Sequence, residues 1–333
     1  CGLGALRGGV RFAAAYPITP ASDLLEWLSP RLEQLGGGLV QAEDELASIN
    51  MVIGASFGGV PSMTATSGPG LALMAESLGL AVAAEVPAVV YNVQRGGPST
   101  GIPTKSEQVD LDIALHGLHG DAPHLVLAAL DHADCVLTAE WSVRLAEALQ
   151  TVAIVLTDQN LAQSRALIPA PGYELPAIPP RKLAGPDEDY HRYALTADGV
   201  SPMAIPGTPC STYVADGLEH TETGKPSTAA ADHAAQLDKR AEKIEHFDYG
   251  DLWADIRGSG KTAILTWGST ASAAREAAGR AEEDVRVIAL RLLMPASPEK
   301  LAVALAGVER VLVVEQSHGR QFHRYLRSYY DIE

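Results

Sequence analysis

The segment AAAYPITPASDLLEWL (residues 13–28) decides the fold prediction, because it joins a short apolar run to an amphipathic helical pattern. Two prolines, Pro17 and Pro20, bracket Ile18 and Thr19. Proline fixes φ and is tolerated in the first turn of a helix, so the segment predicts a rigid turn from a strand into a helix. Taken alone, the turn fits two interpretations: Thr19 caps the helix, or Thr19 is held rigid so that it contacts a ligand.

Outward from this turn, short β-rich runs alternate with helical patterns from residue 10 to about residue 160. Such alternation is typical of a parallel sheet with helices on both faces. The sequence then becomes rich in proline and glycine before a polar helical stretch, which we interpret as an extended connector. Alternation returns near the C-terminus and predicts about three further strands. The predicted organisation is an α/β protein with a first domain, a connector and a smaller second domain over residues 1–165, 166–255 and 256–333.

The composition excludes several functional classes. The chain has 333 residues, of which 47 % are hydrophobic and 20 % are charged, and this is enough for two domains with cores. The net charge of −16 argues against a nucleic-acid partner, because phosphate binding requires a basic face. The most apolar window is interrupted by Glu85 and Pro87, so we expect no membrane span and a cytoplasmic protein.

The cysteines exclude a metal cluster within this chain. Cys1, Cys135 and Cys210 form no CxxC pair and are too few for the four thiolates of an iron–sulfur cluster, so we expect free thiols. The chain begins at Cys1 inside a helical pattern and without an initiator methionine. We therefore expect it to be part of a larger polypeptide.

Two motif matches fail on their context. GPSTG (97–101) matches the nucleophile elbow of α/β-hydrolases, but Pro103 stands where the elbow helix would run. GSGKT (258–262) resembles the end of a P-loop, but Asp255 occupies the position of its first glycine. We expect a loop at the first match and a turn at the second.

Polar segments follow four consecutive predicted strands, and ligands of open parallel sheets bind outside the carboxyl ends of the strands. Thr19, Glu43 and Arg95 supply a hydroxyl, a carboxylate and a guanidinium there. We therefore expect a site for a small anionic ligand and for a group that needs a carboxylate. Asp44 and Glu45 are interpreted as acids that favour a helix start. The four segments are YPITP (16–20), QAEDE (41–45), SGPG (67–70) and QRGGPSTGIPT (94–104).

In their order and spacing, YPITPASD, QAEDELASINMVIGASFGG, TATSGPG and VQRGGPSTGIPT resemble the alpha subunit of 2-oxoacid:ferredoxin oxidoreductases, and most of all the 2-oxoglutarate form. The resemblance covers residues 3–165, and the remainder is similar to the connector and second domain of the family. It implies a parallel-sheet domain that binds the pyrimidine of thiamine diphosphate, plus a smaller transketolase C-terminal-like α/β domain. The implied activity is oxidative decarboxylation of a 2-oxoacid, with 2-oxoglutarate favoured, to acyl-CoA (succinyl-CoA) and CO2, with reduction of ferredoxin.

The resemblance also implies roles for individual residues. Glu43 would hydrogen-bond the ring nitrogen of the aminopyrimidine, a role that a carboxylate performs best when it is removed from water. Thr19 would contact the oxoacid, and Arg95 would pair with its carboxylate, for which a guanidinium fork is suited. These three residues are the predicted catalytic residues. Thr100 and Thr104, on the same loop as Arg95, would contribute further contacts to the substrate or cofactor.

The chain lacks a GDG motif with a distant NN, which holds Mg2+ and the diphosphate in thiamine enzymes. The resemblance places that motif and the [4Fe–4S] cluster in a separate beta subunit, so this chain would carry half of an active site in an (alpha–beta)2 assembly. Coenzyme A would be the co-substrate and ferredoxin the electron acceptor. Three alternatives stay open: a family member specific for pyruvate or branched-chain acids, the pyrimidine-binding subunit of an NAD-linked 2-oxoacid dehydrogenase, and a non-catalytic interface subunit.

Overall fold

Two sheets organise the protein in the computed structural model, which describes residues 1–330 and 332. In this part of the chain, the strands are β1 Phe12–Ala15, β2 Gly38–Gln41, β3 Ser62–Thr66, β4 Ala88–Gln94, β5 Leu125–Ala128, β6 Val152–Asp158, β7 Ala254–Arg257, β8 Thr262–Trp267, β9 Val285–Leu290, β10 Leu292–Met294 and β11 Arg310–Val314. The α-helices are α1 Gly2–Gly8, α2 Ser22–Gln34, α3 Glu45–Phe57, α4 Gly68–Ala83, α5 Leu111–His116, α6 Asp134–Leu149, α7 Gln159–Gln163, α8 Ala230–Glu245, α9 Thr270–Arg280, α10 Pro298–Ala304 and α11 Gln321–Tyr329.

The larger sheet has the strand order β10-β5-β6-β4-β3-β1-β2 and is parallel apart from β10. Its central strands β3, β4 and β6 are buried along their whole length, as expected when helices cover both faces of a parallel sheet. The prediction of an α/β fold with a parallel sheet is therefore confirmed. The sequence did not predict β10, a three-residue strand that pairs antiparallel with β5 and so joins the C-terminal part of the chain to the larger sheet.

The smaller sheet has the strand order β11-β8-β9-β7. It contains four strands where the sequence predicted about three, because β7 pairs antiparallel with β9 ahead of the regular alternation. GSGKT (258–262) lies between β7 and β8 and continues into β8, so the P-loop interpretation is excluded as predicted. The three cysteines are free thiols, also as predicted.

A cluster of buried charged side chains joins α8 to the end of α4. The Glu85 side chain is fully buried, and its two oxygens lie 2.7 Å from the Nζ atoms of Lys239 and Lys243 in α8. Arg192, also fully buried, donates to the backbone oxygen of Glu85 at 2.7 Å. Burial lowers the pKa of Lys239 to about 8 against the opposing effect of the Glu85 charge. Glu85, which interrupts the apolar window of the sequence, is thus a buried carboxylate that holds α8 in place. None of the described helices is long and apolar enough to cross a membrane.

Candidate active site at the carboxyl edge of the larger sheet

The carboxyl ends of β2, β1, β3 and β4 lie side by side, because these four strands are consecutive in the sheet. The chain passes from β1 to β2 on one side and then to β3 on the other, so the strand order reverses between β1 and β3. Ligands bind at such switch points in open α/β sheets. The four polar segments predicted from the sequence therefore flank the crevice where a ligand is expected.

Arg95 and Thr19 meet at this edge. Arg95 follows β4 directly, is only 6 % exposed, and donates from Nη1 to the backbone oxygen of Thr19 at 2.5 Å. Its Nε is buried without a hydrogen-bond partner among the described residues. Thr19 is exposed, and α2 begins at Ser22 with no side-chain cap, so the capping interpretation of Thr19 is wrong. The rigid turn instead presents its carbonyl oxygen to Arg95 and leaves its hydroxyl in the open.

The loop after Arg95, residues 96–104, is exposed from residue 97 onward and is called the arginine loop. Its base is closed by a hydrogen bond from the Ile102 N–H to the Gly96 oxygen at 2.8 Å. Gly101 has φ +56°, and a Cβ on it would lie 1.5 Å from the Gly96 oxygen, so this closure requires glycine. Thr100 and Thr104 are both exposed on the loop. The next helix begins only at Leu111, which agrees with the rejection of a nucleophile elbow.

The three acids of the QAEDE segment have three different environments. Asp44 is the N-cap of α3, and its Oδ1 accepts from the Ala47 N–H at 2.7 Å, which confirms the expected helix start. Glu43 is exposed, whereas Glu45 is only 7 % exposed. Of the two glutamates, Glu45 is therefore the one removed from water, although sequence reasoning selected Glu43.

Glu45 approaches the first turn of α4 because Gly70 in that turn leaves room for it. A Cβ on Gly70 would lie 2.8 Å from the Glu45 Oε1 and 2.0 Å from the Thr66 Oγ1. Glycine at this position therefore lets α4 pack closely against the end of β3 and against the carboxylate. A carboxylate beside a helix N-terminus is favoured by the helix dipole. The SGPG segment thus contributes to the site in two ways: it begins α4, and its Gly70 allows the Glu45 carboxylate to approach that helix.

A second buried carboxylate, which sequence reasoning missed, flanks the same turn. Asp110 is 8 % exposed, and its Oδ2 accepts from the Asn92 Nδ2 at 2.8 Å. A Cβ on Gly68 would lie 2.5 Å from its Oδ1. Burial raises the pKa of Asp110, and the Asn92 hydrogen bond and the Arg95 charge only partly oppose this rise. Asp110 and Arg95 both line a cavity of about 530 Å³, which is also lined by residues 317–319, after β11.

The fold and this edge define the class to which the chain belongs. A family model described as pyruvate flavodoxin/ferredoxin oxidoreductase, thiamine diphosphate-binding, matches residues 3–239. The chain belongs to this family. Within it, the chain is similar to alpha subunits of 2-oxoacid:ferredoxin oxidoreductases, as the sequence motifs predicted, and to a 2-oxoglutarate oxidoreductase subunit.

Two curated relatives and one solved structure define that similarity. 2-Oxoacid:ferredoxin oxidoreductase 1, subunit alpha, of Sulfurisphaera tokodaii is 35 % identical over 98 % of this chain and 55 % of its own length. 2-Oxoglutarate oxidoreductase subunit KorA of Mycobacterium tuberculosis is 38 % identical over 99 % of this chain and 51 % of its own. The 2-oxoglutarate:ferredoxin oxidoreductase of Magnetococcus marinus, solved with 2-oxoglutarate, coenzyme A and succinyl-CoA bound, matches 99 % of this chain and 59 % of that chain, with 42 % identity and a TM-score of 0.90. The chain thus spans about half the length of these relatives.

Proposed function

We propose that this chain is the alpha-type subunit of an enzyme that oxidatively decarboxylates a 2-oxoacid, with 2-oxoglutarate favoured, to acyl-CoA (succinyl-CoA) and CO2. Electrons would pass to ferredoxin through an iron–sulfur cluster in a partner subunit. The observation that carries the proposal is the convergence of a buried guanidinium, Arg95, and a buried carboxylate, Glu45, at one switch point. The names of the relatives support the same assignment.

The residues at this edge fit the pyrimidine half of thiamine diphosphate. A carboxylate removed from water is the group that can share a proton with a pyrimidine ring nitrogen, and Glu45, whose carboxylate packs against Gly70, meets this condition. The cofactor, when bound, supplies the carbanion chemistry, and the chain orients it and tunes its proton equilibrium. The assignment of this role to Glu43 stays a prediction, and the burial of Glu45 favours Glu45.

Arg95 is proposed to bind the carboxylate of the oxoacid. Its Nη1 is committed to the Thr19 oxygen, and this bond fixes the plane of the guanidinium. The buried Nε has no hydrogen-bond partner among the described residues, so the guanidinium keeps a donor for a second acceptor. Thr19, Thr100 and Thr104 are proposed to add hydroxyl contacts, since all three are exposed near the same edge.

A partner subunit would complete the site. The proposed beta subunit carries Mg2+, the diphosphate site and the [4Fe–4S] cluster, and two alpha–beta pairs would form the assembly. Coenzyme A would enter as co-substrate. Within the chain, residues 1–165 are proposed as the pyrimidine-binding domain, 166–255 as the connector and 256–333 as the transketolase C-terminal-like domain.

Substrate-dependent dye reduction tests the proposed function. The chain is produced together with a beta-type subunit, purified without oxygen, and offered 2-oxoglutarate, pyruvate and 2-oxoisovalerate separately with coenzyme A. We expect dye reduction that requires coenzyme A and is fastest with 2-oxoglutarate. A complex that binds thiamine diphosphate but reduces NAD instead of the dye would contradict the proposal and favour a dehydrogenase.

Arg95→Lys should raise the KM for the oxoacid by roughly 10- to 100-fold, because a lysine cannot hold the Thr19 oxygen and a carboxylate with one planar fork. The measurement is dye reduction at varied oxoacid concentration, and the matched control is Arg31→Lys on the exposed face of α2. An unchanged KM in the Arg95 variant would contradict the assigned role.

A further inference from the structure

Gln108 joins the arginine-loop region to the smaller sheet. This fully buried residue lies in the segment that leads from the arginine loop to α5, residues 105–110, which we call the return limb. Its Nε2 donates to the Trp267 oxygen at the end of β8, and its Oε1 accepts from the Gln316 N–H, both at 2.8 Å. Its own backbone N–H donates to the Gln316 oxygen at 2.8 Å. Since Gln316 follows β11, the neighbour of β8, Gln108 bridges two adjacent strand ends of the smaller sheet.

The smaller sheet leaves a fitted space for the Gln108 amide. Gly268, directly after β8, has φ +60°, and a Cβ on it would lie 2.6 Å from the Gln108 Nε2. A side chain at position 268 would therefore both strain the backbone and push on the amide. The close contact between the smaller sheet and the return limb thus depends on glycine at position 268 and on the amide of Gln108.

The same limb is bonded to the larger sheet only two residues further on. The backbone N–H of Asp110 donates to the Gln94 Oε1 at 3.1 Å, and Gln94 immediately precedes Arg95. Between these two anchor points, the Val109 oxygen accepts from the Gln321 Nε2 at 2.8 Å. The return limb is therefore held by both sheets at once, and its larger-sheet anchor is the residue next to the guanidinium.

We propose that Gln108 is a positioning residue for Arg95, so that the smaller sheet contributes to binding the 2-oxoacid without touching it. The hydrogen bonds of Gln108 hold the return limb, the limb holds the end of β4, and the end of β4 keeps the Arg95 guanidinium against the Thr19 oxygen. This inference rests on the proposed function. It assigns a role in substrate binding to the C-terminal part of the chain.

Steady-state kinetics of the alpha–beta complex test the inference. In Gln108→Ala, we expect the KM for the oxoacid to rise roughly 10-fold or more, since small displacements of a binding group cost large factors in rate. The KM for coenzyme A should stay unchanged. Gln108→Glu keeps the acceptor for Gln316 but sets a buried carboxylate oxygen against the Trp267 oxygen, so its KM for the oxoacid should rise at least as much as in Gln108→Ala.

Arg275→Gln is the matched control. Arg275 also joins the two sheets, since it pairs with Asp131, after β5, and with Asp255, in β7, each at 2.7 Å, and neither ion pair involves the return limb. We expect this control to lower thermal stability and to leave the KM for the oxoacid unchanged. An equal rise of KM in both variants would show a general loss of structure and overturn the positioning role.

Gly268→Ala keeps the test decisive if Gln108→Ala does not fold, because it disturbs the same amide from the other side. It should raise the KM for the oxoacid, and an unchanged KM would overturn the inference. Wild-type complex that turns over no 2-oxoacid overturns the proposed function together with this inference. Active wild type with an unchanged KM in Gln108→Ala overturns the inference alone.

Discussion

Glu45→Gln is expected to reduce turnover of the assembled complex by roughly 100-fold or more, the usual size of a lost proton-transfer contribution. An amide keeps the shape of the side chain but cannot share a proton with a ring nitrogen. Glu45 is 7 % exposed and packs above Gly70, whereas Glu43, two residues earlier, is exposed. Glu43→Gln should therefore have a much smaller effect. The measurement is anaerobic dye reduction at saturating oxoacid and coenzyme A.

The two substitutions control for each other, because the chemical change is identical and both precede or begin the same helix. Gel filtration and bound thiamine diphosphate should be measured for each, so that failure to assemble is separated from failure to react. Severe loss in Glu43→Gln with activity kept in Glu45→Gln would support the sequence-based assignment and refute the argument from burial. Full activity in both variants would favour the non-catalytic interface subunit.

The sequence was sufficient to predict that four polar segments lie at one edge of the sheet. Each segment follows a predicted strand, and parallel strands end at the same edge whatever distant contacts they make. The segments are YPITP, QAEDE, SGPG and QRGGPSTG. Asp44 as the N-cap of α3 was similarly accessible, because a cap bonds the backbone only three residues away. Interactions of this kind depend on neighbours in the chain, so local patterns report them.

The sequence was insufficient where the outcome depends on contacts between distant segments. Glu45 is buried because Gly70, on another helix, leaves room for it. Asp110 and Gln108 acquire their surroundings from β4 and from the smaller sheet, the latter more than 150 residues away. The hydrophobic periodicity of a sequence contains no information about such contacts between distant segments. The nearest signal in the sequence was the pair of glycines in SGPG, one of the four polar segments that follow the predicted strands.

Glu85→Ala is expected to lower the free energy of unfolding by about 3–5 kcal/mol, the usual cost of removing one partner from a buried ion pair. The substitution leaves Lys239, Lys243 and Arg192 buried without the carboxylate between them. Glu85 has φ +52°, and alanine also carries a Cβ, so backbone strain is the same in both proteins. Urea unfolding at pH 7, followed by circular dichroism, measures the loss.

The pH dependence of stability should change in the same variant. Burial opposes ionisation of Glu85, but the charges of Lys243 and Lys239 hold its pKa well below the ordinary value. Its stabilisation is therefore complete above the unfolded pKa of about 4.3 and is lost as the pH falls through the lower folded value. Wild type should lose stability as the pH falls below about 5, and Glu85→Ala should lose less over the same interval.

Glu309→Ala provides the control for this prediction, since Glu309 pairs with Lys261 on the surface, where both side chains are mostly exposed. Exposed pairs contribute little, so this variant should unfold close to wild type. Hydrogen exchange locates the effect: amides of α8 should lose protection in Glu85→Ala before those of β4, because the buried carboxylate fastens α8 to the end of α4. Equal stability of the two variants, with α8 still protected, would mean that apolar packing alone holds this segment in place.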